Sequence, residues 1–232
     1  MPSKLKKLAA EKGSRVILAL DYYPSGKDPL DFWSQLLDSV DDLLAGVKLG
    51  LPALLSVGPE GLRELVESFS DSNYFIADFK LADIEDVVRT AAQRILRLGF
   101  DGAIVHLFPM CYSRLAEREA GRSLDIFGLV SMSCRSPLMD LHLEDLVDYA
   151  VKLDLAGVVV GATKPEIVKR VRELLGQRGV ILSPGVGVQG AEPGSAVRAG
   201  ADFEILGRSV AASPSPRQAL EKIVKAYPPP RW

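Results

Sequence analysis

The sequence predicts a single α/β domain, residues 1–232, folded as a (β/α)8 TIM barrel, and three observations predict it. Eight short runs rich in aliphatic and β-branched residues recur along the chain, separated by longer stretches with helical spacing of apolar residues. The runs lack strict in-out alternation and carry no hairpin signal, as expected of parallel strands covered on both faces. The first run leads into Asp21-Tyr22-Tyr23-Pro24, where an open doubly wound sheet would carry a glycine fingerprint.

In order, the runs cover residues 15–21, 45–50, 73–80, 102–106, 125–132, 157–160, 180–183 and 203–206. Between them, 59–69, 83–98, 143–153, 165–175 and 216–226 read as amphipathic helices, with a shorter one at 112–120. The helix at 83–98 is apolar at Ile84, Val87, Val88, Ala91, Ala92, Ile95 and Leu98. Asp83 reads as its N-cap, with Glu85 and Asp86 in the first turn, where the helix dipole favours negative charge. Units of roughly thirty residues suit the barrel, and no linker or low-complexity stretch marks a domain boundary. The termini, 1–12 and 228–232, are expected to fray, the first being lysine-rich and the second beginning with three prolines.

A formal net charge of −2 gives no general reason to expect a nucleic acid or an anionic membrane as partner, so a small molecule is expected. Cys111 and Cys134 are too few and too isolated for a disulfide framework or a zinc site. No signal peptide is evident and no apolar run approaches the length of a membrane span, so a cytoplasmic location is expected.

The charges that interrupt the strands carry the chemistry. In Asp78-Phe79-Lys80-Leu81-Ala82-Asp83, Asp78 and Lys80 share a face if the strand alternates regularly. Asp21 ends the first strand and Lys48 lies near the end of the second. In this fold the C-terminal strand ends form the active site, so the first three strands bring two carboxylates and two ammonium groups to one rim. Alternating charges keep each lysine protonated and each carboxylate ionised. Such a lysine suits the stabilisation of a developing negative charge followed by proton donation to it.

On the far side of the barrel, Ser183-Pro184-Gly185-Val186-Gly187-Val188-Gln189-Gly190 follows the seventh strand and Gly207-Arg208-Ser209 the eighth. Loops at these places commonly bind phosphate, with glycines allowing close backbone approach and Arg208 offering a bidentate guanidinium. His106 is expected to be a packed or hydrogen-bonded residue and His142 an exposed one at a helix start. Ser133 stands at the rim and could hydrogen-bond a ligand, but no histidine base accompanies it as a nucleophile would require. No spacing of His, Cys, Asp or Glu resembles a metal site.

Together, Leu18-Ala19-Leu20-Asp21, Val47-Lys48-Leu49-Gly50, Asp78-Phe79-Lys80-Leu81-Ala82-Asp83-Ile84, Met132-Ser133, the Gln189 loop and Gly207-Arg208-Ser209 resemble orotidine 5′-phosphate decarboxylases of the shorter prokaryotic type. The resemblance implies cofactor-free, metal-free conversion of orotidine 5′-phosphate to UMP and carbon dioxide, the last step of de novo pyrimidine synthesis. It assigns Lys80 as proton donor to C6 and Asp78 as neighbour of the departing carboxylate. Lys48 and Asp21 would bind ribose hydroxyls, and Ser133 the pyrimidine. Gln189 would bridge base and phosphate from a closing loop, and Gly207 and Arg208 would hold the phosphate. Ile84 and the Pro184-Gly185-Val186 turn would complete the substrate site. Asp83 would reach across a homodimer interface into the partner's site.

One departure stands out: the family's usual proline and threonine after Asp83-Ile84 are replaced by Glu85 and Val87. Losing the threonine hydroxyl implies roughly 0.5 to 1.5 kcal/mol of binding unless Thr90 compensates. The related magnesium-dependent decarboxylases and synthases of keto- and hexulose phosphates carry a metal-binding glutamate at the end of the second strand, where this chain has Lys48. A non-catalytic nucleotide-binding protein is the remaining alternative, and the complete charge array argues against it.

Overall fold

The computed structural model describes residues 2–119 and 121–228. Among them are strands β1 (Val16–Ala19), β2 (Gly46–Gly50), β3 (Tyr74–Leu81), β4 (Gly102–His106), β5 (Glu117–Glu119), β6 (Arg122–Ser131), β7 (Gly157–Val160), β8 (Val180–Val186) and β9 (Phe203–Leu206). All but β5 run parallel, each paired with the next, and β9 pairs back onto β1 to close an eight-stranded barrel. The helices are α1 (Ser3–Lys12), α2 (Pro29–Val40), α3 (Leu51–Phe69), α4 (Glu85–Arg97), α5 (Pro137–Leu141), α6 (Leu143–Lys152), α7 (Pro165–Leu175), α8 (Ser195–Ala199), α9 (Arg208–Ala211) and α10 (Pro216–Ala226). No helix among the described residues is long and apolar enough to cross a membrane.

Strands β2 and β7 are buried along their whole length, which is why their sequences show no alternation. Close strand approach also demands glycine at the start of β7: a Cβ on Gly157 would lie 2.2 Å from the Val180 carbonyl oxygen. In the helical layer, α3 begins at Leu51, eight residues before the helix expected at 59–69. Gly58, with φ +68°, kinks it, and Pro59 opens the second segment, where a fixed φ and a missing N–H cost little.

Three sequence expectations give way. The segment expected to be a helix at 112–120 instead contains β5, which pairs antiparallel with the start of β6, Glu117 opposite Leu124 and Glu119 opposite Arg122. A hairpin is therefore present, and Gly121, at φ +80°, supplies the backbone conformation its turn requires. The segment 1–12 is not frayed: α1 buries Leu5, Leu8 and Ala9 against the barrel. Two of its lysines, which suggested a solvated tail, are tethers. Lys4 pairs with Asp101, just before β4, at 2.7 Å, and Lys12 donates to the carbonyl oxygens of Asp41, ahead of β2, and Ser72, just before β3. At the other terminus, the Pro228 carbonyl accepts from Arg15 Nε at 2.9 Å, while 229–232 lie outside the described residues.

The loop after β8 is anchored by Glu204. This fully buried carboxylate on β9 accepts the N–H groups of Gly194, Ala196 and Val197 at 2.8, 2.9 and 3.2 Å and the Tyr227 hydroxyl at 2.5 Å. One side chain thus satisfies the start of α8 and fastens the residue after α10. Burial, followed by the Glu204 charge, pushes the Tyr227 phenol well above its ordinary value. Replacing Glu204 with Ala strands three amides and a hydroxyl. It should destabilise the protein by roughly 2 to 4 kcal/mol, read as a fall in Tm of about 4 to 16 °C for a chain of this size.

Candidate active site

Lys48 occupies the middle of a strand that is buried throughout. Two carboxylates make that position tenable: Nζ lies 2.8 Å from Asp21 Oδ2 and 3.5 Å from Asp78 Oδ2. Asp21, two residues beyond β1, is seated by its second oxygen, which accepts the Gly50 N–H at 2.8 Å. Glycine is required there, since a Cβ at residue 50 would stand 2.3 Å from Asp21 Oδ1. Lys80 Nζ completes the chain at 2.5 Å from Asp78 Oδ1. The four groups therefore alternate in sign: Asp21, Lys48, Asp78, Lys80.

The path that brings Lys80 to Asp78 differs from the regular alternation expected of the strand. β3 pairs with β4 at Ala77 opposite Ala103 and again at Leu81 opposite Val105, so three residues on one strand face one on the other. The excess is a bulge at Asp78-Phe79-Lys80, and Lys80 adopts φ +59°. A left-handed conformation costs a non-glycine residue roughly 1 to 2 kcal/mol, strain of the kind that functional sites retain. Phe79 turns away and packs edge-on against Phe100, ring centres 5.7 Å apart.

Asp21, Lys48, Asp78, Lys80, Ser133, Pro184, Gly185, Val186, Gln189, Gly207 and Arg208 all line one cavity of about 460 Å³ at the C-terminal mouth of the barrel. Its wall also includes Ile104, Leu129, Val159 and Ile205, which sequence reasoning did not single out. They lie on β4, β6, β7 and β9, whose nearly unbroken burial leaves no alternation in the sequence to mark which residues face inward. The cavity joins an alternating charge array to an apolar wall, with Arg208 opposite, exposed and without an ion pair among the described residues. Gly185, Gly187 and Gly190, at φ +105°, +82° and +107°, shape the loop beside it.

Asp83 and Ile84 do not line this cavity. Asp83 is exposed, and it does not cap α4: Ile84 is the N-cap residue, and Asp83 Oδ1 accepts only the adjacent Ile84 N–H at 2.7 Å. The substituted Glu85 has a partner of its own. Its carboxylate accepts the N–H and hydroxyl of Ser113, contacts that hold it below the usual carboxylate range and tie α4 to the loop after β4. Val87 is exposed, and Thr90 supplies no substitute hydroxyl, being bonded to the Asp86 carbonyl at 2.8 Å. His142 is exposed beside Asp145, at the start of α6. His106 packs edge-on against Phe108, but its buried Nδ1 lacks a hydrogen-bond partner among the described residues. Burial and the Lys80 charge lower its pKa against an opposing pull from Asp78, leaving a neutral imidazole at pH 7. Among the described residues, no cluster of three or more His, Cys, Asp or Glu is disposed to hold a metal ion.

For Asp78, burial alone would raise the carboxyl, but Lys48 and then Lys80 outweigh it and hold the group below its ordinary value. A depressed carboxyl contributes stability that is present above its unfolded pKa of about 3.9 and lost as pH falls through the lower folded value. Lys48→Met should raise the Asp78 pKa and move this loss to higher pH. Carboxyl-carbon NMR titration of wild type and variant measures the displacement directly.

The sequence and the fold also resemble those of known proteins. A curated orotidine 5′-phosphate decarboxylase of Aeropyrum pernix is 41% identical over 223 residues, covering 93% of this chain and 89% of the relative. One from Methanococcoides burtonii is 36% identical, covering 92% and 97%. The crystal structure of orotidine 5′-monophosphate decarboxylase from Sulfolobus solfataricus superposes with a TM-score of 0.74 at 32% identity, covering 91% of this chain and 96% of that one. With the family model matching residues 14–223, the chain belongs to the orotidine 5′-phosphate decarboxylase / HUMPS family.

Proposed function

We propose that this protein converts orotidine 5′-phosphate to UMP and carbon dioxide without a cofactor. The observation that carries the reading is the Asp21-Lys48-Asp78-Lys80 array facing a partly apolar cavity. Lys48 in place of a metal-binding glutamate favours the decarboxylase branch of the family over its magnesium-dependent branch.

In the proposed reaction the substrate carboxylate sits beside Asp78, where two like charges disfavour the ground state. Cleavage of the bond from C6 to the carboxylate releases carbon dioxide and leaves the electron pair on C6. The Lys80 ammonium stabilises that carbanion, then transfers a proton to it, forming UMP and a neutral amine that regains a proton from solvent. Fixed charges in a site that excludes water stabilise this transition state more than they would in bulk water. Asp21 and Lys48 hold the array and bind ribose hydroxyls. Ser133 bonds the pyrimidine, Gln189 bridges base and phosphate, and Gly207 and Arg208 bind the phosphate. Pro184, Gly185 and Val186 complete the enclosure.

The proposed enzyme is a homodimer in which Asp83 enters the partner's site. Asp83's exposure supports this, as do neighbouring apolar side chains left in solvent after β3, β4 and β6: Ile84, Val87, Phe108, Met110, Leu138 and Leu141.

The decisive assay follows loss of orotidine 5′-phosphate spectrophotometrically with and without EDTA, and turnover unchanged by chelator is expected. Lys80→Ala should lower kcat by at least about 10³-fold while UMP still binds; near-normal turnover would remove Lys80 from the mechanism. Mixing inactive Asp83→Ala and Lys80→Ala subunits should restore about one quarter of wild-type activity, because half of randomly re-formed dimers are mixed and each has one complete site. No recovery after demonstrated subunit exchange would refute the shared site.

A further inference from the structure

The glycine loop and the Gly207-Arg208 segment both line the cavity, and they meet at Ser209. A Cβ built on Gly187 would lie 2.7 Å from Ser209 Cβ and 2.8 Å from its hydroxyl oxygen, so the side chain is seated directly against the loop backbone. That approach depends on glycine at 187, which also has φ +82°. The Ser209 hydroxyl is buried and has no hydrogen-bond partner among the described residues. An unpaired buried hydroxyl costs folding free energy, and alanine would fill much of the same space without that cost. The hydroxyl therefore needs a partner that the loop arrangement seen here does not offer. The Gly187 carbonyl accepts the Gly190 N–H at 2.8 Å and keeps a second lone pair.

We propose that Ser209 is a positioning residue of the phosphate subsite, its hydroxyl latching the Gly187 turn to the Gly207-Arg208 segment when the two loops close on a phosphate group. The proposal rests on the reading of this cavity as a nucleotide site and adds to it the residue that couples its two phosphate loops. Arg208 supplies charge from the mouth, and Ser209 fixes the loop that covers it. A latch of this kind acts only on ligands that carry the phosphate.

The test compares the full-length wild type with Ser209→Ala by calorimetric titration with UMP and with uridine, by Tm without ligand, and by decarboxylation kinetics. Removing the unpaired hydroxyl should leave Tm unchanged or raise it. UMP affinity should fall about tenfold, as expected for one hydrogen bond, uridine affinity should stay within about twofold, and kcat/KM should fall in parallel with UMP affinity. Equal UMP affinity in the two proteins would overturn the latch, as would a lowered Tm with both ligands weakened alike, the signature of a packing residue. A wild type that neither binds UMP nor decarboxylates orotidine 5′-phosphate would instead overturn the nucleotide-site reading and the latch with it. An active wild type matched by an equally active variant would overturn the latch alone.

Discussion

A buried ammonium shared by two carboxylates is the interaction on which the rest of this site depends. Lys48 is buried in β2 with Asp21 and Asp78 facing it, and each carboxylate in turn fixes a neighbouring strand end. Asp21 is locked to Gly50, which ties β1 to β2. Asp78 opens the bulge in β3 that delivers Lys80. Three strands are thus registered at their catalytic ends by charge pairing as well as by backbone ladders. These contacts fix the charges relative to one another, and fixed charges need not reorganise during a reaction.

The opposite half of the mouth follows another physical logic. There, charge is sparse and the backbone carries the shape, through three left-handed glycines and a buried carboxylate that fastens the outgoing end of the loop.

Much of this was legible in the sequence because the barrel repeats one physical pattern. Fully buried parallel strands leave unbroken apolar runs, and charges that interrupt them stand out against that background. Asp21, Lys48, Asp78 and Lys80 were legible for this reason, and they meet in the structure. What escaped were features set by tertiary context. The β5 hairpin occupies a segment with too few residues to impose a period. In α1 three apolar residues are enough to bury one face, and the lysines around them mask it. Helical spacing made Asp83 a natural cap, yet α4 begins at Glu85, anchored sideways through Ser113. The inward apolar residues of the cavity look the same in sequence as core residues deeper in the barrel, so chemistry did not mark them.

The left-handed lysine has an evolutionary consequence. Position 80 is a place where the backbone favours glycine and the proposed proton transfer calls for lysine, so the folded chain carries a standing cost of roughly 1 to 2 kcal/mol for that side chain. A lineage released from the need for this activity would gain stability by drifting to glycine or asparagine there, without disturbing the barrel. Lysine at 80 in a relative would then record continuing selection on the chemistry, and its replacement by a residue that tolerates the left-handed region would mark a barrel that has moved to other work.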